Sequence, residues 1–219
     1  MKARGTLSDE LNEVRHELEL MEARVEEDLG KSLAMLRTGS EELADEVKRS
    51  GSIVDSLQTK IEDMALVLIA TQQPVARDLR EMIMIFKLTS NLERINDFSI
   101  HLVKAAMKLA RRPPFRSIER IERMAETGQE MLKAAFAAYL AHDADAARDA
   151  AVFDDRIDDE HKALTEELLT LMKEKPGLVK PAARLLKLSG FMERMGDHIT
   201  SICEGVIFMA EGKHENLNQ

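Results

Sequence analysis

Glu93 and Asp97 lie four positions apart, and so do Glu193 and Asp197. On a helix such residues project from nearly one face, about 6 Å apart along the axis. Each pair sits one position off an apolar seam, beside Leu92 and Met192. A second set of acids stands elsewhere in the chain: Asp154 with Asp158, and Asp55 alone, since Gly51 occupies the position equivalent to Asp154. Acid pairs facing each other from two helices would concentrate negative charge in a partly dry space. Like charges so close cannot all ionise without compensation. Protonation, pairing with Arg94 or Arg194, or a bound metal would each relieve the repulsion. Oxygen-rich helical sites suit hard cations, iron or manganese. Di-iron bundles use paired Glu-x-x-His motifs, whereas this chain offers only Asp158-x-x-His161. An oxygen-activating enzyme is therefore poorly supported. The bland alternative is that these are solvated acids making surface ion pairs, because most charged residues are exposed.

The acids recur because the chain repeats itself. Phe86-Lys87-Leu88-Thr89-Ser90-Asn91-Leu92-Glu93-Arg94-Ile95-Asn96-Asp97 returns 100 positions later as Leu186-Lys187-Leu188-Ser189-Gly190-Phe191-Met192-Glu193-Arg194-Met195-Gly196-Asp197. Earlier segments align with an offset of 103, which pairs Met21 with Met124 and Asp55 with Asp158. Internal repetition decides architecture first. The pattern predicts an all-α protein of two tandem three-helix bundles, over residues 6–112 and 115–211, with six helices. The first helix runs over about 7–37 after Thr6 or Ser8, and Ser40 caps the second. Val47, Val54, Ile61 and Leu68 form its heptad seam, with Leu57, Met64 and Thr71 between. Pro74 ends it and opens the third helix, which is stopped by Arg111-Arg112-Pro113-Pro114. A fourth helix spans about 117–141. Asp143 caps a fifth that runs to about Glu174, and a sixth runs from about Pro181 to Ala210. The segment from Gly212 onward reads as frayed.

Composition narrows the function classes. Aliphatic residues are plentiful, with 13 Met, no Trp and one Tyr, as in a helical bundle. The formal net charge of −9 lacks the basic footprint of a nucleic-acid binder and opposes binding to anionic lipid. No apolar run reaches the roughly 18 residues of a membrane span, and the first residues lack the apolar stretch of a signal peptide. Cys203 is the single cysteine, which excludes an internal disulfide and a cysteine metal cage. A cytoplasmic protein, assembled as a homodimer, is the expectation. No Walker motif or Ser-His-Asp set appears, so no enzyme is expected. Cys203 and His198 read as packing residues, and Arg77 and Arg80 as the first candidates for a docking contact.

At its repeated motifs the chain resembles the PhoU family, the accessory and regulatory proteins of phosphate transport. Glu93-Arg94-Ile95-Asn96-Asp97 and Glu193-Arg194-Met195-Gly196-Asp197 are similar to the family's Glu-Arg-x-Gly-Asp signature, and Gln73-Pro74-Val75-Ala76-Arg77-Asp78-Leu79-Arg80 to its third-helix opening. The resemblance implies a non-enzymatic negative regulator of phosphate uptake and the phosphate-starvation response. Its implied partners are a phosphate importer's ATPase and a phosphate-sensing histidine kinase. It also implies iron or zinc sites held by acid pairs of the second and third helices of each repeat. Carried over by position, these are Asp154, Asp158, Glu193 and Asp197 in the second half, and Asp55, Glu93 and Asp97 in the first. Gly51, Asn96 and Phe98 are departures there. A metal-dependent enzyme or metal store, and a plain helical adaptor, stand as alternatives.

Overall fold

The computed structural model describes residues 2–109 and 118–218. Among them are α1 (Lys2–Thr38), α2 (Glu41–Gln72), α3 (Arg77–Leu109), α4 (Ile118–Ala141), α5 (Ala144–Ala151), α6 (Phe153–Glu174) and α7 (Val179–Glu211), with a 3₁₀ turn at Pro176–Leu178. No strand occurs among the described residues. The expected stop at Arg111 to Pro114 lies outside them.

The predicted seams are the core. Val47, Val54 and Ile61 on α2 are fully buried, as are Ile85, Leu88, Leu92, Ile95, Ser99 and Leu102 on α3. So are Leu185, Leu188, Met192, Met195, Ile199 and Ile202 on α7. Thr71, at the C-terminal end of the α2 seam, is exposed. The local punctuation explains where helices begin. Ser40 Oγ accepts from the Leu43 N–H at 3.3 Å, and Asp143 Oδ1 accepts from the N–H groups of Asp145 and Ala146 at 3.0 Å each. These bonds satisfy first-turn donors that lack helical partners.

Three boundaries differ from expectation. Thr6 and Ser8 lie inside α1, which already runs from Lys2. Pro74 does not open α3. It sits in a short connection whose Gln73 and Ala76 both take φ near 49°, and α3 starts at Arg77. Gln73 fills the left-handed position after α2 that glycine usually takes, and its N–H donates to Ile69 O at 3.2 Å. The fifth rod is broken at Val152 into α5 and α6 although Val152 keeps helical φ and ψ of −60° and −21°. The break gives Asp154 and Asp155 a helix-start position, where the dipole favours negative charge.

Each half forms one bundle: α1, α2 and α3 pack together, and so do α4, α5–α6 and α7. The halves meet through α3 against α7 and α1 against α4. α2 and α6 therefore lie on opposite outer sides. Arg80 Nε donates to Met209 O at 3.1 Å, and His198 Nδ1 donates to Asn91 Oδ1 at 2.8 Å. These contacts show that α3 and α7 run antiparallel. At the other junction Glu81, only 3% exposed, accepts from Arg15 Nε at 2.8 Å, while Arg15 Nη2 lies 3.2 Å from His142 Nε2. A buried charge needs such a partner, so this network helps fix α1, α3 and the α4–α5 turn relative to one another.

Candidate metal centre

The second-half acids gather in the outer groove between α6 and α7. Asp154 is partly buried, and its Oδ2 accepts from Thr200 Oγ1 at 2.9 Å. Its Oδ1 is buried with no hydrogen-bond partner among the described residues. Gly196 explains how the carboxylate fits. A Cβ built there would stand 2.1 Å from Asp154 Oδ1, so only glycine admits the acid. Burial, then the charges of Asp158 and Asp197, push Asp154 up to about 6, against the Thr200 hydrogen bond. Burial and then Asp197 also raise Glu193 and Asp158. His161 lowers both of these acids, which places it in the same cluster. Its Nδ1 lies 2.6 Å from Ser189 Oγ, so Nε2 is the ring nitrogen free of that bond.

The first half is built differently at the equivalent place. Gly51 stands for Asp154, and its Cβ position would meet Ile100 Cδ1 at 2.8 Å. Ile100 is the counterpart of Thr200, and Asn96 that of Gly196. An aliphatic chain thus fills the space where the second half holds a carboxylate and its donor. Asn96 is 2% exposed, and its Oδ1 is unpartnered. Three acids remain. Burial, then Asp97, with a smaller contribution from Asp55, raises Glu93, and Arg94 opposes this. Glu62 Oε1, further along α2, accepts from Gln58 Nε2 at 2.9 Å and Thr89 Oγ1 at 3.1 Å.

Arginine pairing accounts for little of this charge. Arg94 reaches its neighbour Glu93 at 3.4 Å. The other six acids enter no ion pair among the described residues, and Arg194 is exposed. The orphaned Asp154 oxygen, the mutual raising of the acids and the oxygen-rich donor set fit a hard or intermediate cation, with His161 as a nitrogen donor. No three of these side chains, nor any other three His, Cys, Asp or Glu of the described residues, are already drawn together as a ligand set. The acids would have to close on an ion.

The segment after α7 is not frayed. Gly212, at φ 73°, ends the helix, and the His214 ring stacks on Phe208 at 4.1 Å. Arg148 holds Glu211 and Glu215 at 2.7–3.0 Å. The chain then runs back along α7. The Leu217 N–H donates to Glu204 Oε1 at 3.0 Å, and Asn218 Nδ2 donates to Asp197 Oδ1 at 3.1 Å. His198 bonds Asn91 and lies 5.7 Å from the Phe98 ring, and Cys203 is fully buried with its thiol pushed up to about 12 by burial. Both are packing residues. Arg80 is tied to the end of α7, which leaves Arg77 as the exposed member of that pair. Besides Glu81, a second buried acid escaped the sequence reading. Asp28 is 1% exposed, with neither oxygen hydrogen-bonded by geometry, and burial raises it, although the nearby Ser50 hydroxyl opposes the shift. Its place on the seam between Val25 and Leu29 was the available signal.

A consequence can be measured on chelator-treated protein. Asp154 keeps its proton up to about pH 6 when folded, whereas the unfolded chain releases it near 3.8. Between those values the native state binds more protons, so stability falls as pH rises. The two-unit difference, discounted for partial exposure, amounts to about 1–2 kcal/mol lost by pH 7.5. Asp154→Asn should remove that loss. Urea denaturation at pH 4 and pH 7.5 is the check, and an unchanged gap between wild type and variant would contradict the assignment.

Comparison with known proteins bears on the fold and the family. The family model described as the PhoU domain matches residues 18–106 and 121–206. The phosphate-specific transport system accessory protein PhoU homolog of Clostridium acetobutylicum is 30% identical over 216 residues, 98% of this chain and 99% of that protein. The homolog of the same description from Aquifex aeolicus is 31% identical, over 97% and 98%. The crystal structure of PhoU from Pseudomonas aeruginosa superposes with a TM-score of 0.89 at 29% identity, over 94% of this chain and 99% of that one. The phosphate transport system regulatory protein PhoU from Streptococcus pneumoniae gives 0.87 at 27% identity, over 96% and 99%. With both halves of the fold matched and nearly the whole length shared, the chain belongs to the PhoU family.

Proposed function

We propose that this protein is an accessory protein of a phosphate-specific transport system that restrains phosphate uptake and the phosphate-starvation response. The observation that carries the reading is the near full-length similarity to relatives named for that system. The chain acts by contact, as a homodimer in the cytoplasm, held at the inner face of the membrane by its partners. Those partners are the importer's ATPase and a phosphate-sensing histidine kinase. No helix among the described residues is long and apolar enough to cross a membrane, consistent with membrane attachment only through other proteins. Arg77, exposed at the start of α3 and in no ion pair among the described residues, is the first docking residue to test. Charge reversal at Arg80 would instead disturb the end of α7.

Asp154, Asp158, Glu193 and Asp197 would hold an iron or zinc ion in the second half, and Asp55, Glu93 and Asp97 a weaker one in the first. A bound cation supplies charge compensation. The chain's own residues do the rest: Thr200 orients Asp154, Gly196 gives it room, Ser189 holds His161, and Asn218 occupies one oxygen of Asp197. Such a site would couple α6 to α7, and so could couple metal loading to the α3–α7 junction behind it.

Deletion of the gene in its host tests the regulatory reading. Phosphate-starvation genes should stay on in phosphate-replete medium, read as transcript level. Normal repression in the deletion strain would reject the proposal.

A further inference from the structure

A recess of about 210 Å³ opens between the end of α3 and the start of α7. Its rim is basic: Lys104 and Lys108 from α3, Arg184 and Lys187 from α7. His101, Ala105, Leu188 and Phe191 form the rest of the lining, and among the described residues no carboxylate lines it. None of the four cations enters an ion pair among the described residues, although the chain as a whole carries a net charge of −9. We propose that this recess binds a compact polyvalent oxyanion of the pyrophosphate class.

Packing alone does not explain the charge. The α3–α7 pair repeats itself with an offset of 100, so the recess has a counterpart at the other end of the junction. There Lys104 is matched by Glu204, Arg184 by Met84, Phe191 by Asn91 and Lys108 by Phe208. That end is closed by side chains. A Cβ at Gly205 would meet Met84 Sδ at 2.4 Å and Lys87 Cδ at 3.3 Å, and Asn91 is bonded to His198. One of two equivalent positions is thus open and cationic, while the other is filled and mixed in charge. Lys108 has an ordinary account, since a cation in the last turn of α3 complements the helix dipole. Lys187 has a partial account, since its ammonium lies 5.4 Å from the Phe191 ring centre. Arg184, on the N-terminal half of α7, has none.

The chemistry of the lining selects the ligand. Four like charges around one small volume repel, and a ligand with several negative charges relieves more of that repulsion than a single one. The recess lies along two helices whose backbone donors are already used, so recognition runs through side-chain charge. Lysine binds phosphate as a point charge, and arginine can add a bidentate contact. The two rings in the lining engage each other. His101 stacks on Phe191 at 4.6 Å, and Lys187 lies 5.4 Å from the ring centre. No platform is left for a nucleobase, so the anion itself is the ligand. Burial, together with Lys104 and Lys187, holds His101 below the ordinary imidazole value, and Asp97, one turn before it, is the acid whose charge opposes this.

The test is isothermal titration of the full chain with sodium pyrophosphate. One site should be filled per chain. The affinity should fall about tenfold or more between low and moderately high salt, because the contacts are exposed charges. Arg184→Gln/Lys187→Gln should lose at least about tenfold in affinity, with an unchanged circular dichroism spectrum. Lys87→Gln, at the position equivalent to Lys187, should bind like wild type. Pyrophosphate also chelates metal, so an unchanged titration in Asp197→Asn supports binding at the recess, and its loss there would overturn the proposal. The proposal also fails if wild type gives no binding or if the double variant titrates normally. Tighter binding of ADP, or of vesicles containing anionic phospholipid, would overturn it as well, since each calls for a recognition surface other than these four charges.

Discussion

Gly196→Ala is expected to strip most of the metal from the second-half site while leaving the fold standing. The new methyl would lie 2.1 Å from Asp154 Oδ1 and 3.3 Å from Ile157 Cδ1. The carboxylate is the end of a rotatable side chain, so it will swing out rather than force α6 and α7 apart. It then loses the Thr200 hydrogen bond, worth about 1 kcal/mol or somewhat more for a charged acceptor. It also escapes a burial that holds it near pH 6 instead of its ordinary value. These terms oppose each other, and the net change in stability should stay within about 1 kcal/mol, well below the upper end for overpacked cores. The site has no such compensation. It loses a carboxylate from the α6 side, and affinity for a hard cation follows ligand charge and number. Elemental analysis and urea melts on the same preparation are the check. Full metal content in a folded Gly196→Ala protein would show that Asp154 is not a ligand.

That glycine also marks the boundary of what the sequence could say. The seams were legible because Val47, Val54 and Ile61, or Leu185, Leu188 and Met192, repeat at spacings that only a helix brings to one side. Ser40 and Asp143 were legible as caps because capping is a local act of one side chain on the next turn. The acids were legible as pairs for the same reason. Their surroundings were not. That Gly196 faces Asp154, while Gly51 faces Ile100, depends on how closely two helices approach, and no spacing within either helix encodes it. The break at Val152 carries no proline or glycine, and its backbone angles are helical. The segment after α7 looked frayed because its anchors are single long-range contacts, Arg148 to Glu215 and Asn218 to Asp197. Low hydrophobicity over a few residues hides an order that partners elsewhere impose.

The largest difference between the halves should appear in paired variants. Asp197→Asn is expected to lower bound metal more than Asp97→Asn. Asp197 is the charge that raises Glu193 and Asp158 and contributes to raising Asp154, so it stands at the electrostatic centre of four acids. Asp97 raises Glu93 within a set of three, from which Gly51 and Ile100 have removed the fourth acid and its donor. Neutralising one charge in the larger set takes away one ligand and a share of the field that draws a cation in. In the smaller set the same change acts on a site that is already weaker. A loss of about 3 kcal/mol in binding, near a hundredfold in affinity, is reasonable for Asp197→Asn. The apo protein should respond in the opposite direction, since removing Asp197 relieves repulsion on its neighbours and stabilises the metal-free fold. A variant that binds less metal yet melts higher without it would separate a binding role from a structural one. Equal or greater metal loss on changing Asp97 would reverse the ranking, and a lower melting temperature for metal-free Asp197→Asn would mean that the Asn218 contact, not repulsion, dominates at that position.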